Sequence, residues 1–94
     1  MNILYCGLKF DYGNKNMGFS FINKRVLIVG AGGAARGILG PILDKSPVFV
    51  TVTNRTRERS VTLSTLAPQK NVQVLDWGQK PLEPFDLILN CTSL

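Results

Sequence analysis

Ninety-four residues can close one small hydrophobic core, which excludes a machine of two independently folded domains within this chain. With 45% apolar residues, 18% charged residues and no repeat or low-complexity tract, the composition is that of a globular domain and excludes a fibre, a solenoid or a disordered tail. The formal charge of +5 would suit an acidic partner, but the basic residues are not interleaved with aromatics, no nucleic-acid-binding motif is legible, and without histidine there is no mixed Cys/His metal site.

The first two dozen residues carry the weakest pattern. The apolar opening "MNILYCGL" is too short for a secretory signal and lacks its charged flank, and no run is long enough to span a bilayer, so neither a membrane nor a nucleic acid is expected as a partner. Cys6 and Cys91 are far apart and outside any Cys-x-x-Cys spacing; they read as reduced thiols of a cytoplasmic protein, with no disulfide or metal site. "DYGNKN" is turn-rich and "MGFSFINK" suggests a short helix leading into a strand, while residues 1–16 as a whole stay unassigned.

From Arg25 onward the order is clear. "RVLIVG" is a continuous apolar, β-branched run, as expected of a strand buried on both faces of a parallel sheet. "AARGILGPILDK" follows with Ala35, Ile38, Leu39, Ile42 and Leu43 at helical spacing, and Pro41 predicts a kink or a loosened turn over 37–41. Ser46-Pro47 ends that helix and "VFVTVT" forms a second strand. A weak helix with a thin apolar face is expected over 57–66, closed by Pro68; "NVQVLDW" and "FDLILNC" read as a third and a fourth strand, joined by a Pro-bounded loop. This alternation predicts an α/β fold, a Rossmann-like doubly wound parallel sheet truncated to about four strands.

Where the first strand becomes the first helix, "VLIVGAGGAARG" sets Gly30, Gly32, Gly33 and Ala35 in the G-x-G-x-x-G/A pattern, with Ala31 and Ala34 between them. Gly30 permits the tight turn, Gly32 removes a side chain that would block a pyrophosphate, and Ala35 lets the helix pack closely on the strand. The loop amides and the positive end of the helix then face phosphate. No Gly-Lys-Ser/Thr follows, which speaks against a mononucleotide P-loop.

The second strand ends in Asn54, where an NAD-binding unit usually places Asp or Glu on the ribose hydroxyls. A neutral Asn still bonds the ribose and does not repel a 2′-phosphate. Arg55 and Arg59 can supply the cations, and Thr56 a hydroxyl and a helix N-cap. Arg57 carries no assignment, and Glu58 reads as an exposed helix-start residue. The expected cofactor is therefore NADP.

Taken together, "KRVLIVGAGGAARGI", "VTVTNRTRERS" and "FDLILNCTS" resemble the NADP-binding domain of the shikimate/quinate dehydrogenase family, over residues 17–94. The resemblance implies that residues 30–35 hold the pyrophosphate, that Asn54, Arg55, Thr56 and Arg59 hold the adenosine 2′-phosphate, and that Thr92 and Ser93 lie toward the nicotinamide. It implies reversible hydride transfer between NADP(H) and shikimate or 3-dehydroshikimate, with the catalytic Lys and Asp in a substrate domain absent from this chain. The family's Asn-Thr-Asp-Gly signature does not stand before Met17, so no catalytic role is carried onto Lys9 or Asp11, which read as solvated loop charges. The chain alone is expected to bind the cofactor without turnover, and to leave its fourth strand as an open edge. A glutamyl-tRNA reductase can carry a similar glycine loop and Asn-Arg-Thr segment; Gly-Gly-Ala-Ala-Arg and "NCTS" favour the first reading. A nonenzymatic NADP-binding module is the alternative from another class, and oligomeric state has no signal in the sequence.

Overall fold

The computed structural model describes residues 2–5, 21–66, 71–81 and 84–92. Cys6, Lys9, Asp11, Pro68, Ser93 and the first half of "MGFSFINK" lie outside the described residues. In chain order the elements are β1 (Asn2–Tyr5), β2 (Arg25–Val29), α1 (Gly33–Leu43), β3 (Phe49–Thr53), α2 (Arg57–Thr65), β4 (Val72–Val74) and β5 (Leu87–Asn90). All four strand pairings are parallel, and the sheet order is β1-β5-β2-β3-β4. The chain winds from β2 outward through β3 to β4, then crosses back to lay β5 on the other side of β2. The winding therefore reverses between the carboxyl ends of β2 and β5, the place where open α/β sheets form a crevice.

The Rossmann-like α/β sheet expected from the sequence is present, with one addition. Asn2–Tyr5 pairs with Leu87–Asn90, from Asn2 opposite Leu87 to Tyr5 opposite Asn90. The expectation that the fourth strand is an open edge is thereby corrected: β5 is an inner strand and β1 forms the outer one.

One face of the sheet carries the core. Val26 and Ile28 of β2, Val50 and Val52 of β3, and Leu87 and Leu89 of β5 alternate onto it, as the two-residue period of a strand requires. Onto this face α1 lays Ala35, Ile38, Leu39 and Ile42, and α2 adds Leu63. Burying a side chain of this size contributes roughly 1.5–3 kcal/mol, so α1 is held mainly by its apolar stripe. It is helical throughout, with Pro41 in its last turn, where the missing N–H removes one i→i−4 hydrogen bond without ending the helix before Leu43. The strand buried on both faces is β3, not β2: Leu27 and Val29 are half-buried, while Phe49, Thr51 and Thr53 are covered. Phe85 meets Phe49 edge to face with centroids 6.1 Å apart.

At the opposite end from the crevice, Arg25 and Asp86 clasp β2 to the start of β5. The Arg25 backbone N–H and Nε donate to Asp86 Oδ2 at 2.8 and 3.0 Å, and Nη2 donates to Oδ1 at 2.9 Å. The hydrogen bonds from the Arg25 side chain first, then from its backbone N–H, hold the Asp86 carboxyl far below the usual carboxylate range, against a smaller opposing effect of desolvation. A depressed folded-state pKa means that the pair's stabilisation is complete above the ordinary value of 3.8 and is lost as the pH falls below it. Asp86→Asn is therefore expected to lower the thermal midpoint at neutral pH, with the gap to the parent closing on acidification. A gap unchanged between neutral pH and pH values below the ordinary carboxylate range, read by circular dichroism, would contradict this.

Candidate functional site

Three strand ends meet at Gly30. Its N–H donates to the Thr53 carbonyl at 2.8 Å, and the Cys91 N–H donates to the Val29 carbonyl at 2.7 Å. Gly30 has a φ of +105°, and a Cβ there would stand 2.9 Å from the Cys91 carbonyl carbon and 3.0 Å from its oxygen and from the Thr92 nitrogen. Only glycine fits this turn, for both reasons at once.

Gly32 and Gly33 differ in kind. A Cβ on either would meet nothing within 4 Å, so packing within the chain does not require them to be glycine. Their smallness keeps the surface in front of α1 accessible, the property that a close approach of pyrophosphate needs. Gly32 is the N-cap of α1, with no side-chain cap and no acidic residue in the first turn, so the positive helix end is not neutralised locally. Ala35 is fully buried beneath the helix and Ala31 nearly so, whereas Ala34 is exposed. The small residue at Ala35 thus serves helix-to-sheet packing.

After β3, Asn54 donates from Nδ2 to the Thr56 carbonyl at 3.1 Å, and the Arg59 N–H donates to the same oxygen at 3.1 Å. Thr56 occupies the N-cap of α2, but its hydroxyl makes no capping bond, which corrects the expected side-chain cap. The Thr56 carbonyl draws both donors instead. Arg55, Thr56 and Arg59 are exposed, and neither arginine makes an ion pair with a described residue. Arg57, unassigned in the sequence, donates to the Asp76 carboxylate and is thereby tied to the loop after β4.

Two adjoining clefts of about 370 Å³ each run over these residues. Gly30, Asn54, Arg55 and Thr92 line the first; Gly33, Thr56 and Arg36 line the second; Ala31, Gly32 and Arg59 belong to both, which makes one groove. At its β5 end Asn90 Oδ1 accepts from the Thr92 N–H at 3.1 Å and from Thr92 Oγ1 at 2.6 Å. Asn90 thus fixes Thr92, and Arg36 adds a cation beside the glycine loop; sequence reasoning missed both, although both stand inside its motifs. Ser93 lies outside the described residues. Cys91 is disulfide-bonded, which corrects the expectation of a reduced thiol.

The groove therefore combines backbone amides at a helix start, three arginines (Arg36, Arg55 and Arg59) free of ion pairs with described residues, neutral polar side chains and one carboxylate, Glu58. That set suits an extended polyanion. Among the described residues no group of three His, Cys, Asp or Glu could hold a metal, and no helix is long and apolar enough to cross a membrane.

The family model for shikimate / quinate 5-dehydrogenase matches residues 12–94. A shikimate dehydrogenase (NADP(+)) of Marinobacter nauticus is 43% identical over 81 residues, covering 83% of this chain and 30% of that protein. The crystal structure of shikimate dehydrogenase from Aquifex aeolicus superposes with a TM-score of 0.68 at 27% identity, over 79% of this chain and 26% of that one. Glutamyl-tRNA reductase from Methanopyrus kandleri is 32% identical but superposes less well, with a TM-score of 0.52 over 61% of this chain and 14% of that one. The chain spans about 30% of the length of the curated relative it matches.

Proposed function

The chain belongs to the shikimate/quinate 5-dehydrogenase family, and from that membership we propose that residues 17–94 are the NADP-binding portion of a shikimate dehydrogenase. The observation that carries the reading is the groove itself: a helix start with no acidic residue in its first turn and three arginines free of ion pairs with described residues share it with a neutral Asn54, where a carboxylate would select NAD. The amides of the 30–33 loop bind the pyrophosphate. Asn54 bonds the adenosine ribose, Arg55, Thr56 and Arg59 bind its 2′-phosphate, and Thr92 with Ser93 orients the nicotinamide side.

When bound, NADPH would supply the hydride that reduces 3-dehydroshikimate to shikimate, and NADP+ would accept it in the reverse direction. The residues of this chain hold and orient the dinucleotide; no proton-transfer role is assigned to any of them. The glutamyl-tRNA reductase reading has less support, since its match is shorter and lacks the family-wide agreement over 12–94.

Calorimetric titration tests the proposal. The chain is expected to bind NADP+ more tightly than NAD+, and Asn54→Asp to weaken NADP+ by about tenfold while sparing NAD+, because a carboxylate then faces the 2′-phosphate. An unchanged NADP+/NAD+ ratio in Asn54→Asp would sink the assignment of that end of the groove.

A further inference from the structure

The loop after β4 completes the rim of the groove and has so far been given no part in it. The Leu75 N–H donates to the Val52 carbonyl at 2.9 Å, so the loop leaves the sheet beside the end of β3. The Gln79 N–H donates to the Asp76 carbonyl at 3.0 Å and Gly78 takes a φ of +81°, which closes a tight turn around Trp77. The Arg57–Asp76 ion pair ties this turn to the first turn of α2. Trp77 is the chain's one tryptophan and, among the described residues, the one aromatic residue lining the groove, with 49% of its surface exposed. The Arg55 guanidinium carbon lies 5.9 Å from its ring centroid.

We propose that Trp77 is a cofactor-binding residue whose indole face is the stacking surface for the adenine base. Arg55 covers that face in the ligand-free chain and leaves it for the 2′-phosphate when NADP binds. This rests on the dinucleotide reading above. Its geometry follows from the strand order: the adenosine end lies at the end of β3, and β4 is the next strand outward, so a base pointing away from β2 meets Trp77.

Relative strengths favour the exchange. A guanidinium over an exposed ring contributes about two- to fivefold in an equilibrium. A charge-assisted hydrogen bond to phosphate contributes about tenfold or more. A base stacked on an aromatic side chain adds about fivefold to a hundredfold. The binding of NADP thus replaces one weak contact with two stronger ones, and Arg57 acts as a positioning residue through the turn it anchors.

The test follows the single indole while calorimetry reports binding independently. Under selective indole excitation, NADP+, NAD+ and 5′-AMP are expected to quench the emission, and nicotinamide mononucleotide, which lacks adenine, to leave it unchanged. Trp77→Ala is expected to weaken NADP+ and NAD+ alike by about tenfold, and Trp77→Phe to stay within about threefold of the parent. Far-UV circular dichroism of both variants should match the parent, as the side chain is half exposed. NADP+ binding by calorimetry with unmoved emission, or with unchanged affinity in Trp77→Ala, overturns the role of Trp77 and leaves the groove assignment standing. Calorimetry with no dinucleotide binding to the parent chain overturns the groove assignment, and this proposal with it.

Discussion

Replacing Arg55 and Arg59 together by alanine is expected to weaken NADP+ binding by about a hundredfold while changing NAD+ binding far less. Each arginine can give a charge-assisted hydrogen bond to the 2′-phosphate, worth roughly 1.5–3 kcal/mol when shielded. Both side chains are exposed, so the lower end of that range, near a factor of ten each, is the appropriate one. NAD+ has no 2′-phosphate to lose. Arg57→Ala is the internal control: its guanidinium is engaged by Asp76, so its removal should act through the Trp77 turn and affect both cofactors alike and more weakly. Calorimetric titrations of the variants separate these outcomes. Equal losses for NADP+ and NAD+ in the double variant would defeat the phosphate-clamp assignment.

The glycine loop gives the second large effect, and a contrast within one motif. Gly30→Ala places a methyl group within 3.0 Å of the Cys91 backbone, at a φ of +105° that an alanine resists. Strain of roughly 1–3 kcal/mol and a clash of similar size add to about 3 kcal/mol or more, a large share of a small domain's stability. Gly32→Ala meets no atom within 4 Å and keeps an ordinary φ of −87°. It should leave stability within about 1 kcal/mol of the parent, the scale of an N-cap substitution. Its methyl group nevertheless projects where a pyrophosphate must approach, and NADP+ affinity should fall by about tenfold or more. Denaturant unfolding and calorimetry on the same two variants test the split. A Gly32→Ala chain that binds NADP+ as tightly as the parent would mean that the phosphates do not pass over that loop.

The parts of the fold that sequence reasoning located are those with a local cause. The β-branched runs of β2 and β3, the 35-38-39-42 stripe of α1 and the turn residues between them each carry a period or a break within a few residues. β1 carries neither: it is four residues long, and its partner, β5, lies at the far end of the chain. The same distinction divides the site. Gly30 and Asn54 stand at motif positions whose spacing is itself informative, and the structure brings them to one groove. Trp77 reaches that groove only because β4 pairs with β3, and Arg57 finds Asp76 for the same reason. The Thr56 hydroxyl shows the limit of local rules, for a residue type that commonly caps a helix occupies the cap position here without making the bond.

The central claim is that a dinucleotide lies across the carboxyl ends of β2, β3 and β5. A chain of 94 residues is small enough for its backbone amides to be followed one by one by nuclear magnetic resonance during titration with NADP+. The expected shifts concentrate at Gly30–Gly33, Asn54–Arg59, Trp77 and Cys91–Thr92, with the Arg25–Asp86 end of the sheet unmoved. Shifts confined to the Arg25–Asp86 end, or no shifts throughout the titration with NADP+, would contradict the account.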